Sequence, residues 1–317
     1  MPSRVATKRS LAPLLLATLL CSSACSSLGL DSPHKASEEQ RDRALPTQKV
    51  AGVVVPVLPL DAYVPTAQEE SIVERATYVL AQKCMTAEGA SWPAPLPLMG
   101  IPHSPNERRY GVIDERTVAE YGYHLPPAAG VTRKQLAERI KDEKRRDTKL
   151  TDQLTALYTG ESDDGSMDPA GGCRGKARKA LAISDSKEME ISPVADASRE
   201  AWERTTRDPE ALAADAAWSS CMKRAGHVYP NPHKAAGDKR WLPTSDADFV
   251  RKPAQVEVET AMADVKCKAA IHYVETWQRV ETGYQTELLR EHGKEIRAER
   301  AKWQESLKRA KKILAVN

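Results

Sequence analysis

The chain has 317 residues, and its 47 Lys and Arg against 44 Asp and Glu give a formal net charge of +3. Arg4, Lys8 and Arg9 precede the first acidic residue, so the rest of the chain is formally neutral, which excludes the strongly basic class of nucleic-acid-binding proteins. A single Phe and abundant Ala, Glu, Lys and Arg favour helices, and roughly 290 residues after a leader suffice for one large or two modest domains.

Residues 1–24 have the layout of a secretory signal peptide. The basic residues are followed by the mostly apolar run Leu11 to Leu20, and then by small residues. An apolar run of about ten residues is too short to cross a bilayer as a helix. We therefore expect the chain to be exported and the leader to be removed.

The cleavage region reads Cys21-Ser22-Ser23-Ala24-Cys25, which resembles a bacterial lipobox with Ser22 where Leu is usual. Lipidation of Cys25 leaves four cysteines that can pair, whereas an unmodified Cys25 leaves five, an odd number for an exported protein. The sequence predicts a diacylated, palmitate-bearing Cys25 that anchors the chain to the cell membrane. The alternative is ordinary cleavage at the same place and free secretion, and both place the protein outside the cytoplasm.

Residues 25–49 are rich in Ser, charged residues and turn formers, and they predict a flexible tether. The apolar stretch Val53 to Leu60 follows. Pro56 and Pro59 lack the N–H groups that a sheet would need at their positions. We expect an extended arm lying on a helical core, and not a sheet strand.

One motif occurs twice, each time at the end of an apolar helical pattern. A Cys, a Met, a Gly, an aromatic residue and a Pro recur at the same offsets. The copies are Cys84-Met85-x-x-x-Gly89-x-x-Trp92-Pro93 and Cys221-Met222-x-x-x-Gly226-x-x-Tyr229-Pro230. The repetition predicts a duplicated unit, with residues 50–192 as a first helical half and residues 193–317 as a second.

Helix starts are marked at three places. Thr66 with Glu69 forms a capping box, in which each side chain bonds a free amide of the first turn. Thr132 with Gln135 forms a second one, and Asp208 before a Pro marks a third start. The first helix should bury Ile72, Ala76, Val79, Leu80 and Cys84 and end at Gly89. The second should be one helix carrying Leu136, Ile140, Leu150, Leu154 and Leu157.

Candidate binding residues lie in the loop-rich ranges 90–130 and 227–249. They are aromatic or histidine side chains, namely Trp92, Tyr110, Tyr123, His124, His227 and Tyr229. Such residues could line a pocket, with the two histidines as bases, but they also occur as packed loop corners and as ordinary surface or buried histidines.

No catalytic, phosphate-binding or metal-binding motif accompanies these residues, so we assign no catalytic residue, no cofactor and no metal. Cys next to Met is a soft ligand set that suits copper(I). Adjacent residues on a helix, however, point about 100° apart. We therefore expect Met85 and Met222 to pack in the core.

Each half holds one cysteine at a helix end and one on a later helix. Among the three possible connectivities, duplication favours Cys84 with Cys173 and Cys221 with Cys267. An oxidising compartment outside the cytoplasm would keep both bonds formed.

From about Pro253 to Leu314 the apolar residues recur at helical spacing, which predicts a long C-terminal helix. If this helix folds back, Gly283 and Gly293 are the expected bends. Basic residues gather near its end, at Lys308, Arg309, Lys311 and Lys312. They could contact anionic envelope polymers, or they could complement the helix dipole.

Several short motifs together resemble the uncharacterised secreted lipoproteins of actinobacteria. The motifs are the leader with Cys25, Leu58-Pro59-Leu60-Asp61-x-Tyr63, Cys84-Met85-x-x-x-Gly89, Arg109-Tyr110-Gly111, Tyr121-Gly122-Tyr123, Trp218-x-x-Cys221-Met222-x-x-x-Gly226 and Ala263-Asp264-Val265-x-Cys267. The resemblance implies export and an envelope location, and it carries no activity.

The sequence thus predicts an all-α protein of two related helical halves, with long Pro-rich loops, two bracing disulfides and a long C-terminal helix. The expected function is that of an envelope-anchored extracytoplasmic lipoprotein, a binding or accessory component whose partner is an unknown envelope protein or cell-wall polymer. The alternative is an extracytoplasmic hydrolase acting on cell-wall material.

Overall fold

The computed structural model describes residues 44–96, 99–100, 104–162, 165–183, 192–245 and 250–316. The predicted signal peptide, Cys25 and most of the predicted tether lie outside these residues. Within the described ranges there are ten α-helices and one two-stranded sheet. The all-α prediction is therefore confirmed.

A short hairpin opens the described chain. Strand β1 (Thr47–Val50) pairs antiparallel with strand β2 (Val53–Pro56), so the prediction that this stretch forms no sheet strand is wrong. Ala51 and Gly52 have φ of 52° and 90°, the left-handed values of a tight two-residue hairpin turn. Pro56 is the last residue of its strand, where its missing N–H interrupts no further pairing. Strand β1 also begins inside the range 25–49 that was predicted as a flexible tether.

A 3₁₀-helix (Pro59–Tyr63) leads into helix α1 (Ala67–Ala87). The capping box is confirmed, because the Thr66 side chain accepts from the Glu69 amide and the Glu69 side chain accepts from the Thr66 amide. The buried residues of α1 are Val73, Ala76, Thr77, Ala81 and Met85. Of the predicted stripe only Ala76 belongs to this set, because the helix is rotated by about one residue from the expected orientation.

Among the described residues of the first half, four helices follow: α2 (Glu115–Tyr121), α3 (Arg133–Asp147), α4 (Asp152–Thr159) and α5 (Gly172–Ala180). The predicted single helix from Thr132 to Leu157 is wrong, because it is interrupted between α3 and α4. Thr151 caps α4 by accepting from the Leu154 amide, so a new helix starts there. Helix α3 buries no residue, in keeping with its charged sequence.

The second half begins with α6 (Pro193–Thr205), α7 (Pro209–Arg224) and the short α8 (Pro232–Ala236). Asp208 caps α7, and Pro209 is its first residue, as predicted. Two long helices complete the chain, α9 (Gln255–Ala270) and α10 (Tyr273–Val316).

Helix α10 is continuous over 44 residues, about 66 Å at 1.5 Å per residue. Gly283 and Gly293 both lie inside it, so the bends predicted at these glycines are wrong. The break lies earlier, at Ile271 and His272, where His272 has φ of 53°. A left-handed residue at this point ends α9 and redirects the chain into α10.

Helix α10 packs against α1, α6, α7, α9 and the 3₁₀-helix, so it touches elements of both predicted halves. Towards its C-terminal end Leu307 and Ala310 pack with Val73 and Leu181. In its middle Leu288 and Ile296 pack with Leu60, Val194 and Ala201. Near its start Tyr273 and Trp277 join the largest cluster, which contains Trp218 and Met222.

Two disulfides brace this arrangement. Cys84 of α1 is joined to Cys173 of α5, with the Cα atoms 5.5 Å apart. Cys221 of α7 is joined to Cys267 of α9, with the Cα atoms 5.7 Å apart. These are the two pairs that duplication favoured.

The two copies of the repeated motif have the same local structure. Met85 and Met222 are fully buried, as expected for core residues. Five residues later, the amides of Ala90 and His227 each donate to the carbonyl of their Met over 2.9 Å. Gly89 and Gly226 lie between, with φ of 69° and 88°. Each copy therefore ends its helix with the same left-handed glycine turn.

Candidate functional site

Five of the six candidate binding residues converge on helices α9 and α10. Along α9, four polar side chains are buried at helical spacing, and they form a polar stripe on one face: Glu257, Thr260, Asp264 and Lys268. Two connecting segments pack onto this stripe, residues 104–124 with the short helix α2 and residues 227–241 with the short helix α8. We refer to each of them, with its short helix, as a loop. We call this region the α9 site.

The centre of the α9 site is a buried ion pair. Lys268 Nζ lies 3.0 Å from Asp264 Oδ1, and the two side chains are 2% and 0% exposed. Lys268 Nζ also donates to the carbonyl of Val112 over 2.9 Å. Asp264 accepts from Trp218 Nε1 over 2.8 Å and from the Tyr123 hydroxyl over 3.3 Å. The pair therefore fastens two separate segments to α9, the loop of residues 104–124 at two points and α7 at one.

Burial and pairing act on these groups in opposite directions. Burial raises the pKa of Asp264 and lowers the pKa of Lys268, while their mutual attraction and hydrogen bonding favour the charged forms. The pKa of Tyr123 is raised, first by burial and then by the Asp264 carboxylate. The Tyr123 hydroxyl therefore keeps its proton and acts as a hydrogen-bond donor.

A second buried carboxylate lies on α10, beside the first turn of the loop of residues 104–124. Glu281, which is 0% exposed, accepts from the Tyr110 hydroxyl over 3.0 Å and forms an ion pair with Arg109. Burial, followed by the charge of Glu281, raises the pKa of Tyr110 well above its usual value. Gln285 donates to the same carboxylate over 2.9 Å. Tyr110 is thus a packed residue with its hydroxyl hydrogen-bonded.

His124 lies at the outer end of the polar stripe. Its Nδ1 is 3.4 Å from Glu257 Oε1, and its two ring nitrogens are buried without a hydrogen-bond partner. The same Glu257 oxygen accepts from the Tyr123 amide over 2.8 Å. A Cβ on Gly122 would lie 2.5 Å from that oxygen, so only glycine permits this close approach.

The second loop reaches the same helix through His227, and Tyr229 bonds within that loop. His227 Nδ1 is 3.2 Å from Thr260 Oγ1. The Tyr229 hydroxyl donates to Asp238 over 2.8 Å, and burial followed by this hydrogen bond raises the pKa of Tyr229 to about 12. Arg240 bonds Asp238 and holds the pKa of that carboxyl well below its usual range.

Trp92, the sixth candidate, lies elsewhere. Its ring stacks on Tyr158 with the centroids 3.9 Å apart, and both rings belong to the cluster around Cys173. The Trp92 amide donates to Gln82, which lines a shallow surface depression of about 370 Å³ with Tyr78, Val79, Lys83 and Thr86. The first motif copy therefore places its aromatic residue at a different surface from the second.

The loop of residues 104–124 borders a small cavity lined by Val53, Arg108, Val112 and Val118, among others. Its volume is about 10 Å³, room for roughly one water molecule. Binding pockets for small molecules usually measure about 300–1,000 Å³. In the described part of the chain, no group of three or more His, Cys, Asp or Glu residues is arranged to hold a metal ion.

The buried charges of the α9 site were not among the residues predicted from the sequence. Asp264 and Lys268 are four positions apart on a helix whose neighbouring positions Ala261 and Val265 are apolar. Opposite charges at this spacing usually form a solvent-exposed pair. The signal that could have identified them is their position within the apolar stripe of α9.

Comparison of the chain with protein-family models, with curated proteins and with solved structures gave no match. The resemblance to actinobacterial lipoproteins therefore stays a prediction. No helix within the described ranges is long and apolar enough to span a membrane.

Proposed function

We propose that the protein is an envelope-anchored extracytoplasmic lipoprotein that acts as a binding or accessory component. The observation that carries this proposal is that the hydroxyls of the candidate tyrosines are already hydrogen-bonded within the protein. Tyr110, Tyr123 and Tyr229 use their hydroxyls to bond carboxylates of the protein itself. Tyr110 and Tyr123 hold the first loop on α10 and α9, and Tyr229 braces the second loop internally. Loops held in this way present a fixed surface to a partner.

Export is supported by the disulfides and by the leader. Both bonds link separate helices of the core, and such bonds persist in oxidising compartments. These bonds use four of the five cysteines that follow the predicted cleavage point, and Cys25 is the fifth. Lipidation of Cys25 would account for this fifth cysteine.

The hydrolase alternative has weaker support. Such an enzyme needs a carboxylate or another titratable group that reaches its substrate. Asp264 and Glu281, the carboxylates bonded by Tyr123 and Tyr110, are fully buried and bonded to a cation. Asp238, which Tyr229 bonds, is partly exposed and is paired with Arg240. We therefore assign them the role of positioning the loops.

The proposal is tested by metabolic labelling with palmitate in the native host and fractionation into membrane and medium. The wild-type protein should carry the label and remain with the membrane. Cys25→Ser should abolish the label, because the acyl chains are attached through that thiol. Cys21→Ser is the matched control in the same leader, and it should leave label and location unchanged.

Label retained by Cys25→Ser would overturn the proposed lipid anchor.

The accessory role is tested by mixing the purified protein with isolated cell-wall material. We expect no release of soluble wall fragments. Release that is lost in Glu281→Gln would replace the proposal with the hydrolase.

A further inference from the structure

Four large apolar side chains are exposed around the N-terminal end of α9. Leu125 is 54% exposed, Val228 79%, Leu242 44% and Val256 47%. They come from three segments: Leu125 directly follows the loop of residues 104–124, Val228 and Leu242 lie in the loop after α7, and Val256 lies in the first turn of α9. Clustered apolar exposure of this kind marks an interaction surface more often than isolated exposure does.

Contacts between their chain neighbours bring these residues together. Tyr123, two positions before Leu125, stacks on Trp241, next to Leu242, with the ring centroids 5.2 Å apart. The Tyr123 amide also donates to Glu257, which follows Val256. His227, which precedes Val228, contacts Thr260, and the Thr260 hydroxyl donates to the Val256 carbonyl over 2.7 Å. We call the four residues the apolar tips.

The α9 site fixes the apolar tips from beneath. Their neighbours Tyr123, Trp241 and Glu257 are tied into the buried network, through Asp264, Ala235 and the Tyr123 amide. The tips are therefore presented from a rigid base, and binding costs little conformational entropy in the backbone.

The chain around the apolar tips carries an excess of basic residues. Residues 223–256 contain seven exposed Lys and Arg side chains: Lys223, Arg224, Lys234, Lys239, Arg240, Arg251 and Lys252. The same range contains three acidic residues, Asp238, Asp246 and Asp248, and Asp238 is bonded to Arg240. Beyond it the exposed Glu259 adds one further negative charge. Since the chain after its leader is formally neutral overall, this local excess of positive charge is a property of the surface and not of the whole protein.

We propose that the apolar tips and the surrounding cations dock on an anionic lipid surface. Protruding Leu and Val side chains enter the headgroup region, while Lys and Arg contact lipid phosphates. A hydrophilic anionic polymer would satisfy the cations and leave the tips in water, so the combination favours lipid. The proposal rests on the membrane location proposed above. Residue 44 follows Cys25 by about 20 positions, so a lipid on Cys25 would hold residue 44 within about 70 Å of the membrane.

The test separates docking from lipidation. The mature chain from position 25, carrying Cys25→Ser, is mixed with vesicles of phosphatidylcholine alone or with one-third phosphatidylglycerol, and co-sedimentation is measured. Binding should require the anionic lipid and weaken as salt is raised, because the cations are solvent-exposed. The palmitate experiment reports on the anchor independently.

Two double variants test the two components. Val228→Ser with Leu242→Ser should reduce vesicle binding about tenfold, since two apolar side chains no longer enter the lipid. Lys239→Gln with Lys252→Gln should reduce it about 10- to 30-fold at low salt. The controls are Leu212→Ser, at the far end of α7, and Lys311→Gln with Lys312→Gln, at the end of α10; both should bind as the parent protein does.

Three results would overturn the proposal. The first is no binding to anionic vesicles, and the second is equal binding by the serine double variant. The third is equally tight binding to soluble polyglutamate, which would show that the face recognises an anionic polymer or acidic protein and not lipid.

Discussion

At the scale of single residues, the buried Asp264–Lys268 ion pair has the largest solvation cost to offset. Two ions taken out of water lose several kcal/mol of solvation each, and only good geometry and further hydrogen bonds restore it. Here Asp264 has Trp218 and Tyr123 as additional donors, and Lys268 has the Val112 carbonyl as an additional acceptor. The pair is therefore costly to break, whatever its net contribution when intact.

Lys268→Met tests this view of the pair. Removing the ammonium group leaves Asp264 buried without its cation and frees the Val112 carbonyl, so stability should fall by about 3 kcal/mol. Lys266→Met is the matched control, because Lys266 is exposed on the same helix and should change stability by less than about 0.5 kcal/mol. Urea unfolding at pH 7 measures both. Equal losses in the two variants would contradict a special role for Lys268.

At the scale of elements, the sequence predicted the helix starts correctly, because helix starts depend on neighbouring residues. The starts at Thr66, Thr132 and Asp208 were correct because a cap needs only residues two or three positions away. The hairpin at residues 47–56 was missed because β1 is polar and exposed, and its pairing is set by the Ala51–Gly52 turn. The rotation of α1 was missed because its buried face is chosen by α5 and α10, which lie far away in the sequence.

The two glycines at Gly293 and Gly122 should respond oppositely to alanine. In α10, a Cβ at Gly293 would meet only the tip of Arg297, which is exposed and can move. Gly293→Ala should therefore raise stability by about 0.5–1 kcal/mol, since alanine is the better helix former.

Gly122→Ala should instead lower stability, by about 1–3 kcal/mol. Gly122 has φ of 56°, and its Cβ would lie 2.5 Å from the buried Glu257 carboxylate. Thermal unfolding of the two variants, compared with the parent protein, measures the contrast. A destabilised Gly293→Ala would show that α10 relies on glycine at that point.

At the scale of the whole molecule, the α9 site could be predicted only in part. Its aromatic and histidine members were found because Tyr and His in loops are candidates on their own. Its charged members were not found, since the burial of Asp264 depends on Tyr123, 141 positions earlier in the chain. The order in which loops cover α9 is set by long-range packing, which a pattern of single positions does not contain.

If the halves are independent duplicated units, the first half should fold alone. If they depend on each other for their cores, it should not. The motif copies and the disulfides divide by halves, yet Val73, Ala76 and Leu181 of the first half pack against Leu307 and Ala310 of α10. Residues 44–192 expressed alone would expose this cluster, together with the side of Leu60 that packs against Leu288.

We therefore expect residues 44–192 alone to lack a cooperative thermal transition, even with Cys84 and Cys173 oxidised. Circular dichroism and amide exchange, with the full mature chain as reference, measure this. The physical reason is that α10 supplies one wall of three apolar clusters that contain residues of the first half, and only the cluster around Cys173 lies wholly within that half. A half without that wall buries too little area to offset its conformational entropy. A cooperative transition in the isolated half would show instead that each duplicated unit folds independently and that α10 was added to two stable domains.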